Sequence, residues 1–542
     1  MTGTLSVLDL VIIGVYFAAV LGVGLYFSRR ERTSTEYFLA GRQVAWWAIG
    51  ASLFASNISS EHFIGLAGSG AAGGFAVGNF EWLACFCCLT LGWLFVPFYL
   101  RSGVFTMPEF LERRYGPASR WYLTIVSIIS YVLTKISVTL VAGSLLLEEV
   151  VGWDFITSSI VLVVSTGVYT IAGGLSAVIY TEVVQTIVLT GGATLLTVMG
   201  LREVGGWSAL TAKLDPSYFS MFRPMDHPDF PWTGIVFGAP ILGIWYWCTD
   251  QFIVQRVLSA KNEPNARSGA ICAGFLKILP VFIMVLPGLV AAALYADVNG
   301  DNAYPAIVSR LLPSGLKGIV IAGLLAAIMS SLASVFNSCS SLITMDIYKK
   351  LRENPTEREL VLVGRISTGV LVVLGIVWVP YIKEISSQLF VYLQSVSAYI
   401  SPPITACFLF GVLSGRLNAA GAIVSLLTGF ILGAARLILE LLHKNGMELS
   451  GPPEWLATVN FLHFAVLLFA VSTVVLFLVS ALTQEPSREK IRGLTFRTLE
   501  AGTTVKRAEA ASPESQYRWD RLNLLFSVVL VLILITLWYI FR

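Results

Sequence analysis

Charge is scarce in this 542-residue chain: 13% of its residues are Asp, Glu, Lys or Arg, against roughly 25% in ordinary soluble domains. The shortage excludes a water-soluble globular protein, and a 56% hydrophobic share with mean hydropathy +0.76 indicates a polytopic membrane protein. The 36 basic and 33 acidic residues leave a net charge of +3 and form no basic stripe apart from the loops, so no nucleic-acid partner is expected. Histidine is rare, at four residues. Neither an HExxH zinc pair nor a nucleophile-base constellation occurs, which makes an enzyme the weakest reading. The cluster Cys85, Cys87 and Cys88 lacks a second ligand pair and lies in an apolar run, so it reads as packing rather than a metal site. The first apolar segment, about 8–27, has no basic stretch before it and no small-residue cleavage motif after it, and is expected to stay as a span.

What the chain has instead is apolar runs long enough to cross about 30 Å of hydrocarbon. They predict an all-α protein of about 14 transmembrane helices, beginning near Leu8, Trp46, Phe80, Tyr122, Ile156, Ala177, Gly234, Gly269, Gly315, Val363, Leu389, Ala419, Phe461 and Leu522. Basic loops follow the first span (Arg29, Arg30, Arg32, Arg42), the third (Arg101, Arg113, Arg114, Arg120), the seventh (Arg256, Lys261, Arg267) and the ninth (Lys349, Lys350, Arg352, Arg358). Cytoplasmic loops carry the excess of Lys and Arg, so both termini are expected outside the cell. The charged, alanine-rich stretch 485–521 then reads as a solvated cytoplasmic tether before the last helix.

The run 46–70 is interrupted by Ser56, Asn57, Ile58, Ser59, Ser60, Glu61 and His62. A polar heptapeptide is tolerated at membrane depth only where the helix unwinds against a cavity or a ligand. A second interruption is expected in 234–257, where Gly238, Pro240 and Gly243 precede Trp245, Tyr246 and Trp247 and then Thr249, Asp250 and Gln251. Two broken helices about four intact ones apart fit inverted five-helix repeats. Few other polar groups fall within spans: Glu81, Lys135, Glu182, Lys277 and Gln394. Two readings fit Glu81 and Lys277, an interhelical ion pair or hydrogen bonding to a neutral polyhydroxy ligand. Tyr246 and Trp247 suit either the core or stacking on a sugar's C–H face. Ser330 and Ser331 either bond their own helix or, with carbonyls freed by an unwound turn, hold a small hard cation.

Several strings make the chain resemble the sodium/solute symporter family, most of all its sodium/glucose cotransporter branch. They are EYFLAGR at 36–42, ASLFASN at 51–57, MPEF at 107–110, GGLSAV at 173–178, YWCTDQ at 246–251, SSLAS at 330–334 and TMDIY at 344–348. The resemblance implies a LeuT-like core of two inverted five-helix repeats and sodium-coupled uptake of a monosaccharide across the plasma membrane. Sodium would meet the carbonyls of Ala55, Ile58 and Ala327 and the hydroxyls of Ser330 and Ser331. Sugar would meet Asn57, His62, Glu81, Lys277 and Gln394, with Tyr246 as inner gate and Trp247 beside it. Glu182 would lie on the sodium exit path. Gly243 departs from a position that is polar in the family, and Ala333 stands where members with a second sodium carry a hydroxyl, which favours one sodium per sugar.

On this reading 1–44 hold an added helix and a basic loop, 45–200 and 232–415 the repeats, and 201–231 an outer loop. Residues 416–484 form two added helices, 485–520 a cytoplasmic linker and 521–542 the last span. The alternatives are a symporter for myo-inositol or another small solute and a sugar-gated sodium-conducting sensor. Pairing with a small accessory subunit stays open.

Overall fold

The structure, a computed structural model, describes residues 5–28, 33–298, 300–382, 389–498 and 513–542. It is all-helical: among the described residues, pairing outside helices is limited to two isolated bridges, Val44 with Ala260 and Arg223 with Pro231. Eleven described helical runs are long and apolar enough to cross a membrane. Helices starting at Glu263 and Glu357 open a turn or more before the apolar runs predicted from Gly269 and Val363. Their acidic first turns suit the positive end of the helix dipole but carry no hydropathy signal.

Seven helices position the candidate site. They are α1 (Trp46–Asn57), α2 (Asn79–Thr90), α3 (Phe155–Val204), α4 (Gln251–Leu258), α5 (Glu263–Leu276), α6 (Leu316–Ser341) and α7 (Leu389–Leu413). Unbroken, the 50 residues of α3 would run about 75 Å, more than twice the hydrocarbon thickness. The run turns at Gly174, whose φ of +48° and ψ of −150° a side chain would oppose. Small residues bring α1 and α5 close: a Cβ on Gly50 would lie 2.7 Å from the Cys272 Cβ, and one on Gly269 2.6 Å from Ile49 Cγ2.

Both expected interruptions are breaks in the helical backbone. After α1, Ile58 is extended (φ −74°, ψ 110°) and a π-helical turn, Glu61–Leu66, follows. Before α4, the π-helical turn Trp245–Thr249 ends at Asp250, extended in nearly the same way (φ −78°, ψ 128°), whose carboxylate caps α4 through the Phe252 N–H. The entry to α1 meets the exit of α4, because Val44 donates to the Ser259 carbonyl and accepts from the Lys261 N–H, both at 3.1 Å.

Of the predicted linker, 499–512 lie outside the described residues, as do Arg29, Arg30 and Arg32 of the first basic loop. Within the described part of the linker, Arg488–Ile491 is helical; Ile491 and Leu494 are buried, while Arg488, Glu489 and Lys490 are exposed.

Candidate functional site

Between the two breaks lies a narrow cavity of about 70 Å³, below the roughly 300–1,000 Å³ typical of small-ligand sites. Asn57, His62, Glu81, Tyr246, Trp247, Lys277 and Gln394 all line it. Lys277, just past the end of α5, donates to Asn57 Oδ1 at 2.5 Å and to the Glu81 carboxylate. The second Glu81 oxygen lies 3.5 Å from His62 Nε2. His62 Nδ1 accepts from the Ser59 N–H at 3.4 Å, which leaves Nε2 to carry the ring proton toward Glu81. Asn57 Nδ2 donates to the Tyr246 hydroxyl at 3.2 Å. The Lys135 ammonium sits 4.7 Å from the Tyr246 ring centroid and 3.6 Å from Glu61 Oε1. Since Glu61 adjoins His62, these contacts close a polar belt around the cavity.

Local backbone geometry explains how polar side chains reach one space from separate helices. Glu61 and His62 come from one π-helical turn, Lys135 from a second at Tyr131–Ile136, and Tyr246 and Trp247 from a third. Each such turn holds an extra residue and aims side chains off the regular helical face, a device common at functional sites. Within the belt each ammonium faces a carboxylate, which offsets the cost of charge at membrane depth. Trp247 adds a ring face 5.7 Å from Lys277 Nζ. Gln394, on α7, is half-buried in the wall.

Some lining residues carry no distinguishing signal in the sequence. Phe80 and Phe390 meet edge to face at 5.7 Å, with His62 6.3 Å from the Phe390 ring. An aromatic at the start of an apolar run looks like a membrane-interface residue. Glu61 and Lys135 are recognisable as polar groups within spans, but nothing in the chain marks them as partners.

The residues expected to hold sodium cluster at the first break. In an unbroken helix the Ala55 carbonyl would accept from the Ser59 N–H; here that N–H faces His62, and Ala55 accepts from the Ser330 hydroxyl at 2.8 Å. The His62 N–H bonds to the Ser59 carbonyl at 3.0 Å, which takes Ile58 out of the regular helical pattern. Ser330 also reaches the Ala327 carbonyl at 2.9 Å, and Ser331 the Ser56 carbonyl at 3.3 Å. The serines thus bond both their own helix and the broken one. The arrangement gathers hydroxyl and carbonyl oxygens, the donor set a small hard cation takes.

Glu182 is fully buried nearby. One of its oxygens accepts from Ser56 at 2.8 Å and Ser334 at 2.6 Å and pairs with Arg256 at 3.1 Å, while Ser52 donates to the other. Ser334 also donates to the Ser330 carbonyl at 2.7 Å, so a polar path runs from the break to Glu182. Gly243 lies against a filled place: a Cβ there would come within 2.5 Å of Cys87 Sγ.

The sodium:solute symporter family model matches residues 37–429. Sodium/glucose cotransporter 4 of Mus musculus is 42% identical over 531 residues, 90% of this chain and 78% of its own length. A sodium/mannose cotransporter of Bos taurus is 42% identical over 561 residues, 95% of this chain and 94% of its own. Among solved structures, a Na+-coupled sialic acid symporter in a substrate-bound outward-open state aligns with TM-score 0.77 at 23% identity, over 89% of this chain and 99% of that one. A nucleobase-cation-symport-1 family transporter aligns at 0.52 and 16% identity, over 86% and 98%. These two likenesses establish a shared transporter fold. With the family match across most of its length, the chain belongs to the sodium:solute symporter family, in the sodium/glucose cotransporter branch.

Proposed function

We propose that this chain is a secondary active symporter of the plasma membrane that imports a monosaccharide with one sodium ion by alternating access. The observation that carries the reading is the shared break. Ala55 and Ile58, which would offer carbonyls to sodium, flank or adjoin Asn57 and His62, which line the cavity where sugar would bind. Ser330 supports it: with two carbonyl acceptors, its hydroxyl can turn to Ala327 when a cation takes Ala55. Sodium fixes the unwound turn, that turn holds Asn57 and His62, and each ligand therefore raises affinity for the other.

The proposal assigns fourteen spans. Two come from α3, split at Gly174, and two are the helices broken at Ile58 and Asp250. Residues 45–200 and 232–415 form inverted five-helix repeats, and the meeting of the α1 entry with the α4 exit supports that relation. Residues 201–231 make an outer loop, 485–520 a cytoplasmic linker, and both termini face outward. Sodium sits among Ala55, Ile58, Ala327, Ser330 and Ser331, with Glu182 on its way inward. Sugar is held by Asn57, His62, Glu81, Lys277 and Gln394, closed off inwardly by Tyr246 with Trp247 beside it.

At −100 mV one entering charge contributes about 2.3 kcal/mol, and a tenfold sodium gradient about 1.4 kcal/mol. Together they support roughly 500-fold accumulation of sugar, so a single sodium suffices. Uptake by proteoliposomes tests the proposal: labelled hexose should accumulate only with inward sodium, and Ser331→Ala should weaken the sodium dependence. Accumulation indifferent to sodium would end the symport reading, and sugar-evoked current without uptake would replace it with a sensor.

A further inference from the structure

Glu61 has no part in the sugar contacts above, yet it is 2% exposed and lines the cavity. Its Oε1 faces Lys135 at 3.6 Å, while Oε2 is buried without a hydrogen-bond partner. A buried carboxylate oxygen left without a donor is costly, and on a residue that lines the cavity it calls for a donor that arrives with the ligand. Of the possible donors, a second cation would meet the Lys135 ammonium as a like charge. A neutral hydroxyl satisfies Oε2 without disturbing the ion pair.

We propose that Glu61 is a further substrate-binding residue whose Oε2 accepts a hydroxyl hydrogen of the sugar, with Lys135 as the residue that positions the carboxylate. The inference rests on the symporter reading and deepens it. Glu81 with Lys277 and Glu61 with Lys135 then form two carboxylate–ammonium pairs on one belt, joined through Asn57 and Tyr246. The ligand class that uses both is a polyhydroxylated ring with donors at two separated positions.

Sodium-dependent uptake of a hexose and its full set of monodeoxy analogues tests this, in wild type, Glu61→Gln and the double variant Glu61→Gln/Lys135→Met. The double variant removes both charges and so avoids stranding a buried lysine. One analogue should bind wild type at least about tenfold more weakly than the parent sugar. In whichever variant folds, that penalty should shrink below about threefold while the other analogues keep theirs, a selective change that a merely structural role of Glu61 would not produce. Penalties unchanged for every analogue would overturn the assignment. If wild type carries no sugar with sodium, the symporter reading falls first and the assignment with it.

Discussion

Ser330 donates its hydroxyl to the Ala55 carbonyl at 2.8 Å, joining α6 to the last turn of α1 just before that helix breaks. The bond crosses between the two halves of the chain. It places an adjustable donor at a carbonyl that the break frees from its helical partner.

Removing that hydroxyl should be read first in the ion. With Ser330→Ala, half-saturation of uptake by sodium should rise about 10- to 100-fold, in line with about 1.5–3 kcal/mol for a contact to a charged group. Apparent sugar affinity should fall at fixed sodium, because linkage is reciprocal. A sodium titration identical to wild type would take Ser330 out of the site.

The pair formed by Glu81 and Lys277 serves structure, ligand or both, and two variants separate these roles. Lys277→Met leaves a buried carboxylate uncompensated and should lower stability by about 3–5 kcal/mol. Lys277→Met with Glu81→Gln should recover the thermal unfolding temperature in detergent and still fail to transport. Uptake returning together with stability would reduce the pair to a structural link.

Cys87 occupies the space into which a side chain at 243 would project. Gly243→Thr alone should therefore weaken sugar uptake by overpacking, which costs about 1–3 kcal/mol in a packed wall. Adding Cys87→Ala should restore uptake and alter the preference among glucose, galactose, mannose and inositol. If the two substitutions simply add, the thiol and the missing side chain do not share a place.

Outside the spans, Glu112 accepts from Lys350 at 2.8 Å and from Arg120. Burial pushes its pKa up, but these hydrogen bonds and cationic neighbours outweigh burial and hold it below the ordinary carboxylate value. A lowered folded-state pKa gives stability that is present at neutral pH and lost as pH falls through that value. Glu112→Gln should lower the unfolding temperature at pH 7, by the equivalent of about 1 kcal/mol or less given solvent screening. The gap should close on acidification, and a gap that widens in acid would contradict the assignment.

Both breaks were legible in the chain because Asn57, Glu61 and His62, and later Thr249 and Asp250, put polar groups where hydrocarbon forbids them. The polar residues of the belt could be named for the same reason. Their pairing could not, since Glu81 and Lys277 lie 196 positions apart and only the fold brings them together. The π-helical turns are silent in composition: Tyr131–Ile136 reads like any apolar helix around one lysine. Packing hides the role of Cys87 in the same way, because a small apolar residue gives no sign of whose space it fills.

Two carboxylates and two ammoniums on the belt sum to zero. A cavity without net fixed charge that carries a neutral sugar back and forth moves almost no charge through the membrane field. Electrical current during transport would then be a direct tally of sodium ions, and the ratio of charge to sugar in a single recording would give the stoichiometry without any kinetic model.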